Sequence, residues 1–203
     1  MRWLYRLARA IYGVKDSKIT AVDLVVPLGY GLEKDKSLPD GAEKTLSVAA
    51  DIASKYGVNI AWASSNYFWL GCKEEEDQAR IQYLKDIGYE GRFIIADGIS
   101  NSVTEAENIK AAVLAKKIPH KKITVVCDWP HARSALLVWR KVFPASKIMI
   151  RNIEANWNSS FVRFQKSNSW WLVVCLLRHA ALIVLGLNRV AKIQHPLKEE
   201  KRR

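Results

Sequence analysis

Five short apolar runs alternate with longer amphipathic stretches along most of this 203-residue chain. The predicted strands are 23–29, 58–65, 92–97, 122–128 and 146–152, and the predicted helices between them are 41–56, 74–87, 103–117 and 131–143. Strands that alternate with single helices form βαβ units, in which the strands are parallel and right-handed crossovers place helices on both faces. We therefore predict an α/β fold, a doubly wound three-layer Rossmann-like domain with about five parallel strands, plus N- and C-terminal helices.

One residue conflicts with this pattern. Pro27 lies inside the first predicted strand and has no N–H group to donate to a neighbouring strand. We expect strand pairing to be lost there, near the carboxyl end of the strand.

The chain divides into three predicted segments: a basic amphipathic N-terminal helix over 1–18, the Rossmann-like α/β domain over 19–155, and a loop, an apolar helix and a basic tail over 156–203. The apolar run 170–192 is near the length of a membrane span, but Arg178 and His179 lie in its middle. A central arginine costs roughly 2.5–3.5 kcal/mol on insertion scales. A helix that packs on the domain or lies at an interface is therefore favoured over a span, which stays the alternative.

The net charge of +12 is concentrated at the two ends of the chain. About +4 lies before residue 20, +4 lies after residue 188, and +4 remains for everything between. Because a nucleic-acid-binding domain usually carries its basic groove on the folded body, this distribution disfavours nucleic acid. An anionic membrane surface is the predicted partner of the ends, and simple solubility is the alternative.

The three cysteines, Cys72, Cys127 and Cys175, have no spacing typical of a disulfide framework or a zinc site. We predict no metal and a reducing compartment. The N-terminus has no uninterrupted apolar run and no small-residue cleavage site, so it does not have the pattern of a signal peptide. The predicted location is cytoplasmic, with a peripheral position on the inner face of the plasma membrane as the alternative.

Polar and glycine residues follow four of the five predicted strands. They are Gly29 and Gly31, then Ser64, Ser65 and Asn66, then Asn101, Ser102 and Thr104, and finally Asp128, His131 and Arg133. In an open parallel sheet, ligands bind beyond the carboxyl ends of the strands. The four loops are therefore predicted to form one ligand-binding cleft.

His131 is the candidate general acid or base, with Asp128 to orient its ring and Arg133 to hold an anionic group. The alternative is an ordinary buried or surface histidine. The Gly29-x-Gly31 pair lacks the third glycine of a dinucleotide fingerprint, so a tight turn and a phosphate contact both stay open.

Two helix starts also carry candidate residues. Thr104 and Glu107 have the spacing of a capping box, and the same helix start could bind an anion. The acidic run at the start of helix 74–87 suits the helix dipole, and one of its carboxylates, Glu75, is a candidate catalytic group.

Five sequence blocks occur in a characteristic order: VVPLGYG, WASSN, EEEDQARIQYLKDIGY, NSVTEAEN and VVCDWPHARSA. In order and spacing they resemble the SanA/ElyC/YdcF-like family over roughly residues 20–150. The positions that match its pattern are Gly29, Thr104, Glu107 and His131, together with Glu75 or Glu76 and, in one variant of the pattern, Arg133. Ser65 and Asn66 replace paired glycines, and Cys127 and Asp128 replace a Thr-Ser pair.

The resemblance implies a nucleotide-type binding fold with a connection to bacterial envelope assembly, and S-adenosylmethionine as a cofactor of some members. We accordingly predict a bacterial-type protein, cytoplasmic or peripheral to the envelope, that binds a phosphorylated or nucleotide-like ligand. It would be a transferase or hydrolase that uses His131. The alternative is a non-catalytic ligand-binding protein or a regulator of envelope biogenesis.

Overall fold

The computed structural model describes residues 2–65, 73–99, 101–159 and 165–192. Within these ranges the helices are α1 (Arg2–Tyr12), α2 (Asp40–Tyr56), α3 (Lys73–Asp86), α4 (Ser102–Ala115), α5 (Ala132–Val142), α6 (Asn168–Leu185) and α7 (Leu187–Lys192). The strands are β1 (Leu24–Pro27), β2 (Asn59–Ser65), β3 (Phe93–Ile99), β4 (Lys122–Asp128) and β5 (Lys147–Ile153).

The five strands form one parallel sheet in the order β3-β2-β1-β4-β5, with helices around it. The predicted fold class is thereby confirmed. The strand order reverses between β1 and β4, because β2 and β3 lie on one side of β1 and β4 and β5 on the other. In doubly wound folds this reversal opens a crevice at the carboxyl ends of the two central strands. The loops after β1 and β4, which contain Gly29 and His131, meet at this point.

Pro27 affects the sheet on one side only. β1 pairs with β2 through Leu24 and Val25 alone, whereas its pairing with β4 continues to Pro27. The N–H of Leu28 donates to the carbonyl of Val126 at 3.0 Å, on the β4 side. Because successive residues of a strand direct their N–H groups to opposite sides, the missing donor of Pro27 faces β2. The expected loss of pairing is confirmed on that side.

The N-terminal segment packs on the β5 side of the sheet. The Ser17 N–H donates to the Ile150 carbonyl at 2.9 Å, so this segment covers part of the outer edge of β5. Before it, α1 contacts the β4–α5 connection, where the indole N–H of Trp129 donates to the Tyr5 hydroxyl at 3.0 Å. One face of α1 is therefore held by the domain.

The apolar C-terminal run folds as two helices, which corrects the single helix expected from its sequence. The break is at Gly186, whose φ of 75° favours glycine and ends α6. The buried residues of α6 are Trp171, Cys175 and Leu182, spaced to lie on one stripe of the helix. Arg178 lies on the same stripe, which explains how a charged residue occurs in the middle of an apolar helix.

A pair of adjacent tryptophans tests this packing. Trp171 is 3% exposed against the domain, and Trp170 is 47% exposed. We expect Trp171→Ala to lower the free energy of unfolding by roughly 3–5 kcal/mol, as buried aromatic truncations do, and Trp170→Ala by less than about 1 kcal/mol. Urea denaturation followed by circular dichroism measures both. Equal losses in the two variants would contradict the packing of α6 through this stripe.

Candidate functional site

The carboxyl group of Glu105 lies at the centre of the carboxyl edge of the sheet. Glu105 belongs to the first turn of α4, is 4% exposed, and accepts the N–H of Gly29 at 3.3 Å. Burial raises the pKa of Glu105 to about 7, against the Gly29 hydrogen bond and the positive charges of Arg80 and Arg178, which lower it. This acid therefore exchanges its proton near neutral pH.

Arg80 and Glu76 form a buried ion pair on one side of Glu105. They are spaced i, i+4 on α3, and the Nη2 of Arg80 donates to Oε1 of Glu76 at 2.5 Å. The guanidinium group also lies directly against the backbone of Gly29, where any added Cβ atom would clash with it. A side chain at position 29 would therefore have to displace the ion-paired guanidinium group of Arg80.

Arg178, whose charge also acts on Glu105, contacts His131 and Ser102. Nη1 of Arg178 is 3.0 Å from Nε2 of His131 and donates to the Ser102 hydroxyl at 3.3 Å. Arginine can only donate, so Nε2 of His131 accepts and the neutral ring carries its proton on Nδ1. Burial, and then the adjacent positive charge of Arg178, hold the pKa of His131 well below its usual value. His131 is thus a neutral imidazole that holds Arg178 in place.

Two buried nitrogen donors of these side chains have no hydrogen-bond partner among the described residues. They are Nε of Arg80 and Nδ1 of His131. Buried donors of this kind are nearly always paired in folded proteins, with protein, water or a ligand. The arrangement suits a small, acceptor-rich group.

The start of α4 differs from the predicted capping box. Asn101 is the N-cap residue, and its side chain accepts the N–H groups of Val103 and Thr104 at 2.9 and 3.1 Å. Thr104 completes the box by accepting the Asn101 N–H at 3.0 Å. Glu107 is exposed on α4, so the pairing of Thr104 with Glu107 was wrong. The helix begins earlier than that spacing implied, and the acid that turns inward is Glu105.

The carboxylate of Asp128 is occupied by neighbours other than the His131 ring. It accepts the Trp157 indole N–H at 2.5 Å and the backbone N–H of Trp129 at 3.0 Å. Burial raises its pKa to about 6, and these hydrogen bonds oppose the rise. The hydrogen bond between Asp128 and His131 is a backbone one, from the His131 N–H to the Asp128 carbonyl at 2.9 Å. These contacts do not support the prediction that Asp128 orients the imidazole.

Other predicted site residues lie away from Glu105. Arg133 donates to the carbonyls of Tyr12 and Ile11 at the end of α1, so these donors serve to hold that helix. Glu75 forms an ion pair with Lys36 at the surface, and the acid of α3 that faces the site is Glu76.

Four further residues belong to the predicted set. Ser64 is buried and donates to Asp77. Gly31 adopts a left-handed φ of 78° in the turn after β1, in agreement with the turn interpretation. Asn66 and the side chain of Ser65 lie outside the described residues. The structure therefore brings together Gly29, Ser102 and His131 of the predicted set.

Arg80 and Glu105 were not predicted as site residues, and Arg178 was considered only as a cost to a membrane span. Two signals could have identified them. The i, i+4 spacing of Glu76 and Arg80 is that of a helical ion pair. A lone arginine in an otherwise apolar helix needs a buried or functional partner.

No family model, curated protein or solved structure matches this chain. Among the described residues, no group of three or more His, Cys, Asp and Glu side chains could hold a metal ion.

The pKa of Glu105 leads to a pH-dependent prediction. The pKa of Glu105 is about 7 in the folded protein and 4.5 in its ordinary state, so the folded protein holds this proton more tightly than the unfolded chain. The contribution of this proton to the free energy of unfolding is complete below pH 4.5 and is lost as the pH rises through 7. Glu105→Gln cannot ionise, so we expect wild type to lose about 3 kcal/mol relative to this variant between pH 4.5 and 8.

Urea denaturation across this pH range measures the difference. The control is Glu107→Gln on the exposed side of the same helix, which should follow wild type within about 0.5 kcal/mol. A constant difference between wild type and Glu105→Gln at all pH values would show that Glu105 does not titrate near neutrality.

Proposed function

We propose that this chain binds a small phosphorylated or nucleotide-like ligand at the carboxyl edge of its sheet and acts on it as a hydrolase or transferase. The observation that carries the proposal is a buried carboxyl group with a pKa of about 7, Glu105, beside two arginine side chains. An acid that exchanges its proton and nearby cations can both contribute to cleavage or transfer of a phosphate ester.

The cationic groups support recognition of an anion. Arg80 and Arg178 approach Glu105 from α3 and α6, and Ser102 adds a hydroxyl group at the start of α4. A guanidinium group offers several N–H donors in a plane, which matches phosphate oxygens. The positive end of the α4 dipole adds to the same field, although Asn101 already satisfies two of its N–H groups.

Glu105 supports the acid–base role better than His131 does. The imidazole is neutral and its Nε2 accepts from Arg178, whereas Glu105 changes its charge near neutral pH. In hydrolysis, a water oxygen bonds to phosphorus while the ester phosphorus–oxygen bond breaks. The ionised carboxylate of Glu105 takes a proton from the attacking water, and the leaving oxygen takes a proton from solvent. In a transfer, an acceptor hydroxyl takes the place of water.

S-adenosylmethionine fits the described cluster less well than a phosphate does. Its sulfonium group is cationic, and Arg80 and Arg178 already place two positive charges beside Glu105. The proposal therefore uses no step that involves this cofactor.

Arginine variants test the binding half of the proposal. We expect isothermal titration with AMP and with inorganic pyrophosphate to detect binding to wild type and at least a tenfold loss of affinity in Arg178→Gln, because a hydrogen bond to a charged group contributes roughly 1.5–3 kcal/mol. The matched control is Arg133→Gln, an arginine whose described donors contact α1. Equal loss in both variants, or no binding to wild type, would contradict this assignment.

Variants of Glu105 and His131 test the catalytic half. With p-nitrophenyl phosphate and with phosphorylated compounds that co-purify and are identified by mass spectrometry, Glu105→Gln should lower turnover by roughly 100-fold or more. His131→Gln keeps an acceptor for Arg178, so it should retain more turnover than His131→Ala.

Two outcomes would contradict the catalytic role of Glu105. If His131→Gln and His131→Ala lost turnover equally, the imidazole of His131 would be the acid–base group. Ligand binding without turnover in wild type would favour a non-catalytic binding protein.

A further inference from the structure

The outward side of α6 is apolar from Val173 to the end of the helix, whereas Ser169 in the first turn is an exposed polar residue. Exposed residues on this side are Val173, Leu176, Leu177, Ile183 and Val184. The one charged residue of α6, Arg178, lies on the opposite stripe beside His131. A helix at the surface of a soluble domain normally has polar residues on its outward side. This face, called here the outer face of α6, therefore needs an apolar environment.

Length and composition alone would allow α6 to cross a membrane. Within the described residues it is the one helix that passes this test, with a mean hydropathy of 1.6 and 17% of its residues buried. A span, however, would have to pull Trp171 and Cys175 off the domain and place Arg178 in hydrocarbon. The α6 helix can instead keep Trp171, Cys175 and Leu182 packed on the domain while its outer face lies in the upper part of one leaflet. Both the buried and the exposed apolar residues are then shielded from water.

The helix beside α6 has a similar character. The rings of Tyr12 and His179 lie 5.7 Å apart between centroids, so the end of α1 lies next to α6. On α1, Leu7 is 48% exposed and Ile11 is 71% exposed. Two neighbouring helices thus expose large apolar side chains that the described part of the domain does not cover.

Positive charge accompanies these apolar residues. Arg6 on α1 and Arg189 on α7 are both exposed. The terminal segments that include α1 and α7 hold about +8 of the net +12 of the chain. Apolar side chains flanked by cations are the pattern of helices that lie at the surface of anionic membranes. A second copy of this chain would instead bring these like charges together.

We propose that the outer face of α6, with Leu7 and Ile11 of α1, binds the surface of an anionic lipid bilayer. The inference does not rest on the proposed function, since it uses residues on the side of α6 that faces away from Glu105. The helix lies parallel to the membrane plane, with the outer face buried among the headgroups and upper acyl chains. The cations at both ends contact lipid phosphates.

Co-sedimentation of the full chain with vesicles tests the proposal. We expect binding to vesicles of phosphatidylglycerol and phosphatidylcholine in equal parts, much weaker binding to phosphatidylcholine alone, and a decrease as ionic strength rises from about 0.05 M to about 0.5 M. Arg6→Gln and Arg189→Gln should each weaken binding about fivefold, the factor that corresponds to about 1 kcal/mol per cation.

The decisive pair of variants is Leu177→Glu and Leu114→Glu. Both residues are exposed leucines, with exposed fractions of 64% and 52%. Each substitution adds one negative charge at the surface, so the two variants differ only in position. Leu114 lies near the end of α4, about 18 Å along the helix from Ser102. Leu177→Glu should weaken vesicle binding by roughly tenfold or more, because a buried leucine contributes about 1.5–3 kcal/mol, and Leu114→Glu should leave it unchanged. Circular dichroism and the Tm check that both variants fold.

Three results would overturn the proposal. The first is a failure of the vesicle assay: either wild type does not sediment with anionic vesicles at low salt, or Leu177→Glu and Leu114→Glu sediment equally. The second is a dimer in analytical ultracentrifugation that Leu177→Glu abolishes without any vesicle binding, which would assign the face to a second copy. The third is resistance of the membrane-bound chain to alkaline carbonate extraction, which would indicate a span.

Discussion

The burial of charge at the carboxyl edge of the sheet is the constraint on which the arrangement around it depends. An isolated ionised carboxylate in such a place would cost several kcal/mol, and it persists only if protonation, hydrogen bonds or opposite charges compensate. Glu105 has all three: a raised pKa, the N–H of Gly29, and the nearby charges of Arg80 and Arg178. A larger residue at position 29 would displace Arg80, which lies against Gly29. The α6 helix brings Arg178 into contact with His131.

The architecture could be predicted from the sequence because it follows from local patterns. Buried parallel strands form uninterrupted apolar runs, and the helices between them are amphipathic, so all five strands and the four helices that connect them lie close to their predicted positions. The effect of Pro27 was predictable for the same reason, since a missing N–H is a property of the residue itself. General rules for parallel sheets also directed the prediction to the carboxyl edge, where Glu105 contacts Gly29.

The identity of the site residues could not be read from the same patterns. Thr104 and Glu107 have an ideal capping spacing, yet Asn101 caps α4 and Glu107 faces outward, because an earlier helix start changes which acid points to the sheet. Asp128 and Arg133 flank His131 in sequence, but packing directs one to Trp157 and the other to α1. Side-chain direction depends on helix rotation, and helix rotation depends on tertiary contacts that a single sequence does not display.

The rotation of α6 links the two proposals physically. The inward residues Trp171, Cys175, Arg178 and Leu182 are spaced four, three and four apart, which keeps them on one stripe. Apolar contacts alone would define the rotation of α6 poorly, because the helix has leucine, valine or isoleucine residues on every side. A rotation by one residue, about 100°, would carry Arg178 away from His131 and towards the apolar outer side. The contact of the partly buried Arg178 guanidinium with His131 therefore favours one rotation, as single polar groups select register in coiled coils. The contact that completes the cluster around Glu105 thus also determines which apolar residues of α6 face outward.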